Sequence, residues 1–352
     1  MSSPAKRVFF ALFAFVAVSS LISVAQPGAS PGSPLKIGYS LDSLKVERWQ
    51  TDLDEFKKRA QELGAEVLSE TADGDDGVQY RQCEKLIKSG VKVLVIVPHN
   101  SGSAAKIVKM AKEKHVPVLD YERLIRNADV DLFVGYDSKL IGVQQATALV
   151  ERAPKGNYVL IGGSQTDNNA KMIHDGQMSV LEPLVTKGDI KIISDTWTPE
   201  WLPSAAYVSA ATALQSSKGD VAAIVAGNDG MAGGAIQALN ERKLAGKVLV
   251  SGQDADLESI IHIIEGTQTM TVYKPIVQEA RQAAEAAVRL AKNEPIQTTA
   301  VMPNGSKDVP SILLSAVTVT KANVNQTVIK DGFQKTEEVR RGLPQEKWSE
   351  VE

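Results

Sequence analysis

Residues 78–119 read VQYRQCEKLIKSGVKVLVIVPHNSGSAAKIVKMAKEKHVPVL, and the alternation of two hydrophobic rhythms in them decides the fold class. Val91 to Val97 is a short run of aliphatic residues broken by a single Lys and closed by Pro98-His99-Asn100. Such a run fits a strand buried on both faces. On either side, Val78 to Lys88 and Ser103 to Lys114 repeat apolar residues at helical spacing, and Val116 to Leu119 returns to strand. Strand alternating with helix specifies a parallel sheet covered on both faces.

The same rhythm extends outward. Leu35 to Leu41, Glu66 to Leu68 and Leu132 to Val134 read as further strands of this set, and Glu47 to Leu63 as a helix. It then begins again, with strands at Tyr158 to Ile161, Ile190 to Ile193, Ala222 to Val225 and Val248 to Val250. Their helices fall around Ala170 to Leu184, Ala205 to Leu214, Met231 to Leu239 and Leu257 to Ile264. Two doubly wound α/β lobes are the economical interpretation, and 352 residues suit two domains of roughly 150 each. A strand near Thr269 to Tyr273, an Ala-rich helix from Val277 to Leu290 and a strand-like run from Ile312 to Val319 follow the second set.

Composition narrows the function. Lys and Arg number 39 against 42 Asp and Glu, a net charge of −3, so there is no basic field to hold nucleic acid. Lys6 and Arg7, the apolar run from Val8 to Val18 and the small residues ending at Ala25 read as a cleavable export leader, residues 1–25. No cysteine near that point offers a lipid attachment. The tract QPGASPGSP, residues 26–34, reads as a tether. The single cysteine, Cys83, reads as a packing residue of a helix.

In open parallel sheets, ligands sit beyond the carboxyl ends of the strands, where loops lead into helix N-termini. The residues there are polar and aromatic. Arg48 and Trp49 follow the first strand, Pro98-His99-Asn100 the third, and Glu122 and Arg123 the fourth. In the second set the matching stretches carry Asp167-Asn168-Asn169, Trp197 and Trp201, Asn228-Asp229 and Asp254-Ala255-Asp256, and Lys274 follows the crossing strand. Carboxylates, amides and guanidinium groups saturate sugar hydroxyls, while indoles cover the apolar C–H faces. One of Asn228 and Asp229 is accounted for as a helix N-cap, and of Asp254 and Asp256 the former is read as the cleft residue. On residue type alone, Arg48 and Arg123 fit surface ion pairs as well as ligand contacts.

No G-x-G-x-x-G or G-x-x-x-x-G-K-[ST] follows a strand, His99, His115, His174 and His262 are scattered, and there is no G-x-S-x-G elbow. Neither cofactor, metal nor catalytic triad is expected.

Taken in order, Glu47-Arg48-Trp49-Gln50, residues 90–96, Asp167-Asn168-Asn169-Ala170-Lys171, residues 233–239, Gly252-Gln253-Asp254-Ala255-Asp256 and residues 266–275 resemble the D-xylose-binding proteins of ABC importers. These belong to the ribose- and galactose-binding group of type I periplasmic binding proteins, and the resemblance runs from about Leu35 to Phe333. It implies two lobes joined by a three-segment hinge: 35–137 plus about 271–306, and 138–270 plus about 307–335, leaving 336–352 as a polar tail. It further implies that Arg48, Arg123, Asn169, Asn228, Asp254 and Lys274 hydrogen-bond a monosaccharide, D-xylose or a related sugar, and that Trp201 and Trp49 stack on it. Glu122, beside Arg123, joins this set. The implied setting is the periplasm and the implied partner an ABC permease, with a chemoreceptor or sensor kinase as a further candidate. The sequence departs from the family's usual pattern at Glu122, where Asp is usual, and at His99, where Tyr is usual. Two rivals remain open: a secreted sugar-processing enzyme using two of Glu122, Asp229 and Asp254, and the sensing domain of a repressor, which would need a DNA-binding helix where this chain has a leader.

Overall fold

The computed structural model describes Met1 and residues 34–351. The expected leader and all of the tether but Pro34 therefore lie, Met1 apart, outside the described residues.

From Pro34 the chain runs β1 (Leu35–Leu41), α1 (Arg48–Glu62), β2 (Ala65–Thr71), α2 (Asp76–Lys88), β3 (Val93–Ile96), α3 (Ala105–Glu113), β4 (Val118–Tyr121) and β5 (Leu132–Tyr136). A second round follows: α4 (Ser138–Val150), β6 (Gly156–Gly162), α5 (Asn168–Lys187), β7 (Ile190–Trp197), α6 (Pro203–Ser216), β8 (Ala223–Ala226), α7 (Asp229–Glu241), β9 (Leu249–Val250), α8 (Leu257–Glu265) and β10 (Thr271–Tyr273). The remainder is α9 (Ile276–Ala291), β11 (Ala300–Pro303), β12 (Asp308–Leu314), β13 (Val317–Val319) and α10 (Thr336–Gly342).

The first sheet has the order β11-β12-β5-β4-β3-β1-β2, the second β7-β6-β8-β9, and β10 pairs with β13 in a small ribbon. Apart from the β11–β12 pair and the ribbon, which are antiparallel, all pairings are parallel. Successive side chains of a strand point to opposite faces, and the cores divide accordingly. Val93, Val95 and Val97 pack with Phe56 of α1 and Ala280 and Ala284 of α9, while Leu94 and Ile96 pack with Leu86 of α2 and Ile107 of α3. In the second lobe Val159 and Ile224 face Ala210 of α6 and Ile236 of α7, whereas Leu160 and Val225 face Leu149 of α4 and Leu181 of α5. Burial on both faces is why these strands read as unbroken apolar runs.

Each sheet reverses its strand order once, at β1/β3 in the first and β6/β8 in the second. The loops leaving those strands therefore diverge and open a crevice at the carboxyl edge.

The chain passes between the lobes at three places: Tyr136 to Ser138, Tyr273 to Ile276 and Leu314 to Val317. Two expected boundaries need correction. Residues 307–314 belong to the first lobe, because β12 pairs in parallel with β5, and residues 271–273 stay with the second-lobe side, because β10 pairs with β13 and Val272 packs in that core. The run Ile312 to Val319, expected as one strand, is parts of two in different sheets. The polar tail is corrected as well: Val339, Leu343 and Val351 are buried against Ile260, Ile263 and Ile264 of α8.

α4 has no counterpart among the expected helices. Its buried side is Ser138, Ile141, Gly142, Gln145, Ala146 and Leu149, in which small and polar residues interrupt the two large apolar ones and leave no continuous apolar stripe. What holds it is close approach to α5: a Cβ on Gly142 would lie 1.9 Å from the Ile173 carbonyl oxygen, and one on Gly176 2.0 Å from that of Lys139.

Candidate sugar-binding cleft

The crevices of the two lobes face each other across a tight cavity of about 20 Å3, room for about one water molecule. Its wall contains Arg48, Trp49, Glu122, Arg123, Asn169, Trp201, Asn228, Asp254 and Lys274, every one of the candidate residues. None is more than 7% exposed. Val46, Ser138, Asp167, Ile173 and Gln253 complete it.

Helix starts place several of these side chains. Arg48 and Trp49 open α1, Asn169 lies in the first turn of α5, and Asn228 is the N-cap of α7, its Oδ1 accepting from the Met231 N–H at 3.0 Å. The cap accounts for Asn228 without turning it from the cavity. Glu122, Trp201 and Asp254 sit on left-handed backbone, with φ of 64°, 60° and 98°. Such conformations are costly for non-glycine residues and persist where the surroundings fix them. Here Glu122 N–H donates to Val134 O at 2.8 Å and Asp254 N–H to Val272 O at 2.8 Å. Trp201 is seated by absence of side chain opposite it, since a Cβ on Gly163 would come within 2.3 Å of its indole.

The charges form one network. Arg48 is gripped by Asp52, one helical turn on, through Nε–Oδ2 at 2.9 Å and Nη2–Oδ1 at 2.8 Å, and by Glu279 of α9 at 2.7 Å. That leaves Nη1 directed at the cleft, 3.3 Å from Glu122 Oε1 and 3.8 Å from Asp254 Oδ1. Lys274 Nζ lies 3.0 Å from Glu122 Oε1 and 2.8 Å from Asp254 Oδ1. Arg123 donates through Nη1 to Asp42 Oδ2 at 2.7 Å and sits with Nε 3.0 Å from Asp167 Oδ2. The Trp49 ring carries both guanidinium groups, Arg48 at 4.7 Å and Arg123 at 5.1 Å from its centroid.

Burial alone would raise the Glu122 carboxyl, but Lys274, Arg48 and Arg123 outweigh it and hold the group down at about 2. For Arg48 and Lys274 burial works toward the neutral form, and the carboxylates around them more than restore the charge. Glu279, with one oxygen left without a partner, is pushed up by burial to about 8.

Contacts cross the cleft at several points. Asn169 Nδ2 donates to the Glu122 carbonyl at 2.7 Å, Asp167 meets Arg123, Ser101 N–H donates to Thr166 O at 3.0 Å, and Lys45 pairs with Glu200. This is a closed arrangement of two lobes.

Asp229 is turned away from the cavity, its oxygens accepting from Gln268 Nε2 at 2.9 Å, Thr271 Oγ1 at 2.8 Å and the Asp256 N–H at 3.0 Å. Glu122 and Asp254 share one ammonium rather than standing apart as acid and base. Trp197 packs on His174 instead of the cavity, and His99 lies behind the wall against Asp42. No group of three or more His, Cys, Asp or Glu side chains among the described residues could hold a metal ion.

The supporting residues Asp42, Asp52, Asp167 and Glu279 are absent from the nine candidates. Asp52 had a signal in its i, i+4 spacing from Arg48, and Glu279 in interrupting the alanine stripe of α9.

Comparison with known proteins bears on this geometry. Residues 37–295 match the family described as periplasmic binding protein domain. The D-xylose-binding periplasmic protein of Haemophilus influenzae is 49% identical over 305 residues, covering 87% of this chain and 92% of that one. The protein of the same description from Escherichia coli is 48% identical over 311 residues, covering 88% and 94%. A carbohydrate transporter solute-binding protein from Chloroflexus aurantiacus, solved in complex with D-glucose, superposes with a TM-score of 0.81 at 30% identity, covering 86% and 97%.

Proposed function

The chain belongs to the periplasmic binding protein domain family, and from that membership and the cleft we propose that it is a D-xylose receptor of the periplasm that serves an ABC permease. The observation that carries the reading is the cavity between the lobes, whose wall combines two indoles with carboxylate, amide, guanidinium and ammonium groups. A pentose presents the matching surface: hydroxyls that both donate and accept, and apolar C–H faces.

The nine candidate residues of the wall are the sugar contacts in this reading. Arg48, Arg123 and Lys274 donate, Glu122 and Asp254 accept, Asn169 and Asn228 do both, and Trp49 and Trp201 cover the ring. Because the contacts come from both lobes, the sugar binds the closed form better than the open one, and the difference in affinity drives closure. The closed surface is what the permease recognises. The leader is removed after Ala25 on export, and no chemical step on the sugar takes place.

A thermal-shift titration against xylose, ribose, arabinose, glucose and galactose tests this, because a ligand of the folded state alone raises the melting temperature. The expected result is a shift largest for xylose. A larger shift with another sugar keeps the receptor and moves the specificity, with Glu122 as the residue to examine; no shift with any of the five overturns the reading.

A further inference from the structure

Arg123 is clamped on two sides, and the clamps differ in kind. Asp167 belongs to the second lobe and reaches Arg123 across the cleft, so it can hold the guanidinium only while the lobes are together. Asp42, just after β1, lies in the same lobe as Arg123, so its hold needs nothing from the second lobe. Asp42 is itself steadied from behind. Its Oδ2 accepts from Arg123 Nη1 at 2.7 Å, and its Oδ1 lies 2.7 Å from His99 Nδ1. Among the described residues no other side chain hydrogen-bonds that Oδ1.

His99 is in turn fixed by the backbone. Its N–H donates to Gln79 Oε1 at 3.0 Å, and the buried Gln79 amide donates to Val97 O at 2.8 Å. The charged groups that face the imidazole are Asp42, Asp76 of α2, whose Oδ1 is 3.9 Å from Nε2, and Arg123 beyond Asp42. The two carboxylates favour a proton on the ring, so Nδ1–H is the donor that meets Asp42.

We propose that His99 is a positioning residue for Arg123: by donating to Asp42 it fixes the carboxylate that presents the guanidinium to the sugar before the lobes close. The proposal rests on the sugar-receptor reading for its consequence, which is affinity. Its structural part, the ordering of Arg123 by His99 through Asp42, stands apart from that reading. Pre-arranging a binding group in the open form removes an ordering cost from closure.

The test compares His99→Phe, which keeps a ring and removes the donor, with His99→Asn, whose Nδ2 occupies the same place along the side chain as Nδ1. Xylose affinity is measured by calorimetry for both, for Asp42→Asn and for the double variant of His99→Phe with Asp42→Asn. In sugar-free protein the resonance of the Arg123 Nη1 protons, the group that meets Asp42, reports the ordering directly. Expected are a loss of about tenfold in xylose affinity for His99→Phe, recovery to within about threefold of the unaltered chain in His99→Asn, and no further loss when His99→Phe is added to Asp42→Asn. The Arg123 resonance should be protected in the unaltered chain and His99→Asn and lost in His99→Phe. Full affinity in His99→Phe, independent multiplying losses in the double variant, or an unchanged Arg123 resonance overturns the proposal. If the unaltered chain binds none of the sugars, the receptor reading falls while the resonance still decides whether His99 orders Arg123.

Discussion

At the scale of single residues, the cleft works by holding long charged side chains still. Arg48 makes three hydrogen bonds to Asp52 and Glu279 behind the cavity, which leaves one guanidinium nitrogen facing the cleft. Truncating a cleft residue removes its own bonds and leaves the partner's charge buried and unmatched. Asp254→Ala or Arg123→Ala should therefore weaken xylose binding by about 1.5–3 kcal/mol, the usual worth of hydrogen bonds to charged groups. Calorimetry reads this, and unchanged affinity in both would remove the site. Gly163→Ala is the sharper probe of Trp201, since the new methyl would stand 2.3 Å from the indole. The ring must move, so binding should drop by about tenfold with the far-UV dichroism unaltered, a loss of stacking of order 1 kcal/mol. The nine candidates could be placed on the wall from sequence because they lie at strand ends or helix starts, positions that sequence punctuation marks. Asp42 and Glu279 were harder to find. Their roles depend on what the fold brings near them from 81 and 231 residues away in sequence.

Between elements, the second lobe is held by helices that touch backbone to backbone. α7 contains two adjacent glycines with opposite surroundings. A Cβ on Gly234 would lie 2.1 Å from the Pro203 carbonyl oxygen at the start of α6, whereas one on Gly233 meets nothing within 4 Å. Gly234→Ala must force α6 and α7 apart and should cost about 3 kcal/mol or more, at the upper end for overpacking. Gly233→Ala adds only helix propensity and should stabilise by up to about 1 kcal/mol. Urea denaturation of the two variants checks the pair; equal effects would mean that α6 and α7 do not pack this closely. The same chemistry explains where the sequence reading stopped. Apolar periodicity marks a helix that buries a continuous apolar stripe, of large side chains in α1 and α8 and mainly of alanines in α9, so these three stood out. α4 instead buries Gly142 and Gln145, the latter donating to Gly227 O at 3.0 Å, and carries no such stripe. β11 is an exposed edge strand, and the helix-rich segment after residue 335 buries only isolated apolar residues such as Val339 and Val351. Neither has a period long enough to read.

For the whole molecule, the buried charges set how stability depends on pH, and the sign can be worked out group by group. Glu122 is held at about 2 against an ordinary 4.5, and Asp42 is also lowered, by the His99 hydrogen bond and Arg123 acting against its burial. A lowered carboxyl contributes stability above its ordinary value and loses it as pH falls toward the folded one. For Glu122 that amounts to something on the order of 3 kcal/mol between about pH 4.5 and about pH 2. Glu279 has the opposite sign. Raised by burial from 4.5 to about 8, it keeps its proton in the folded state after the unfolded chain has released it, so stability falls as pH rises across that window. Asp52, Asp120 and Asp167, also raised by burial, act in the same direction. His99 and His174, raised from 6.5 by hydrogen bonds to Asp42 and Asp195, contribute stability below 6.5 that is lost above it, and His262, lowered by burial, opposes them. The lowered groups thus act on the acid side and most of the raised ones above it, which puts the maximum of stability near about pH 5 rather than at neutrality. Urea midpoints measured across pH should show that maximum. Glu122→Gln should flatten the acid limb, and Glu279→Gln, which keeps an acceptor for Arg48, should flatten the limb between about pH 4.5 and about pH 8. A maximum at or above pH 7, or a Glu279→Gln profile parallel to that of the unaltered chain, would show that Glu279 is ionised in the folded protein and that Arg48 is matched by a full charge behind the cleft.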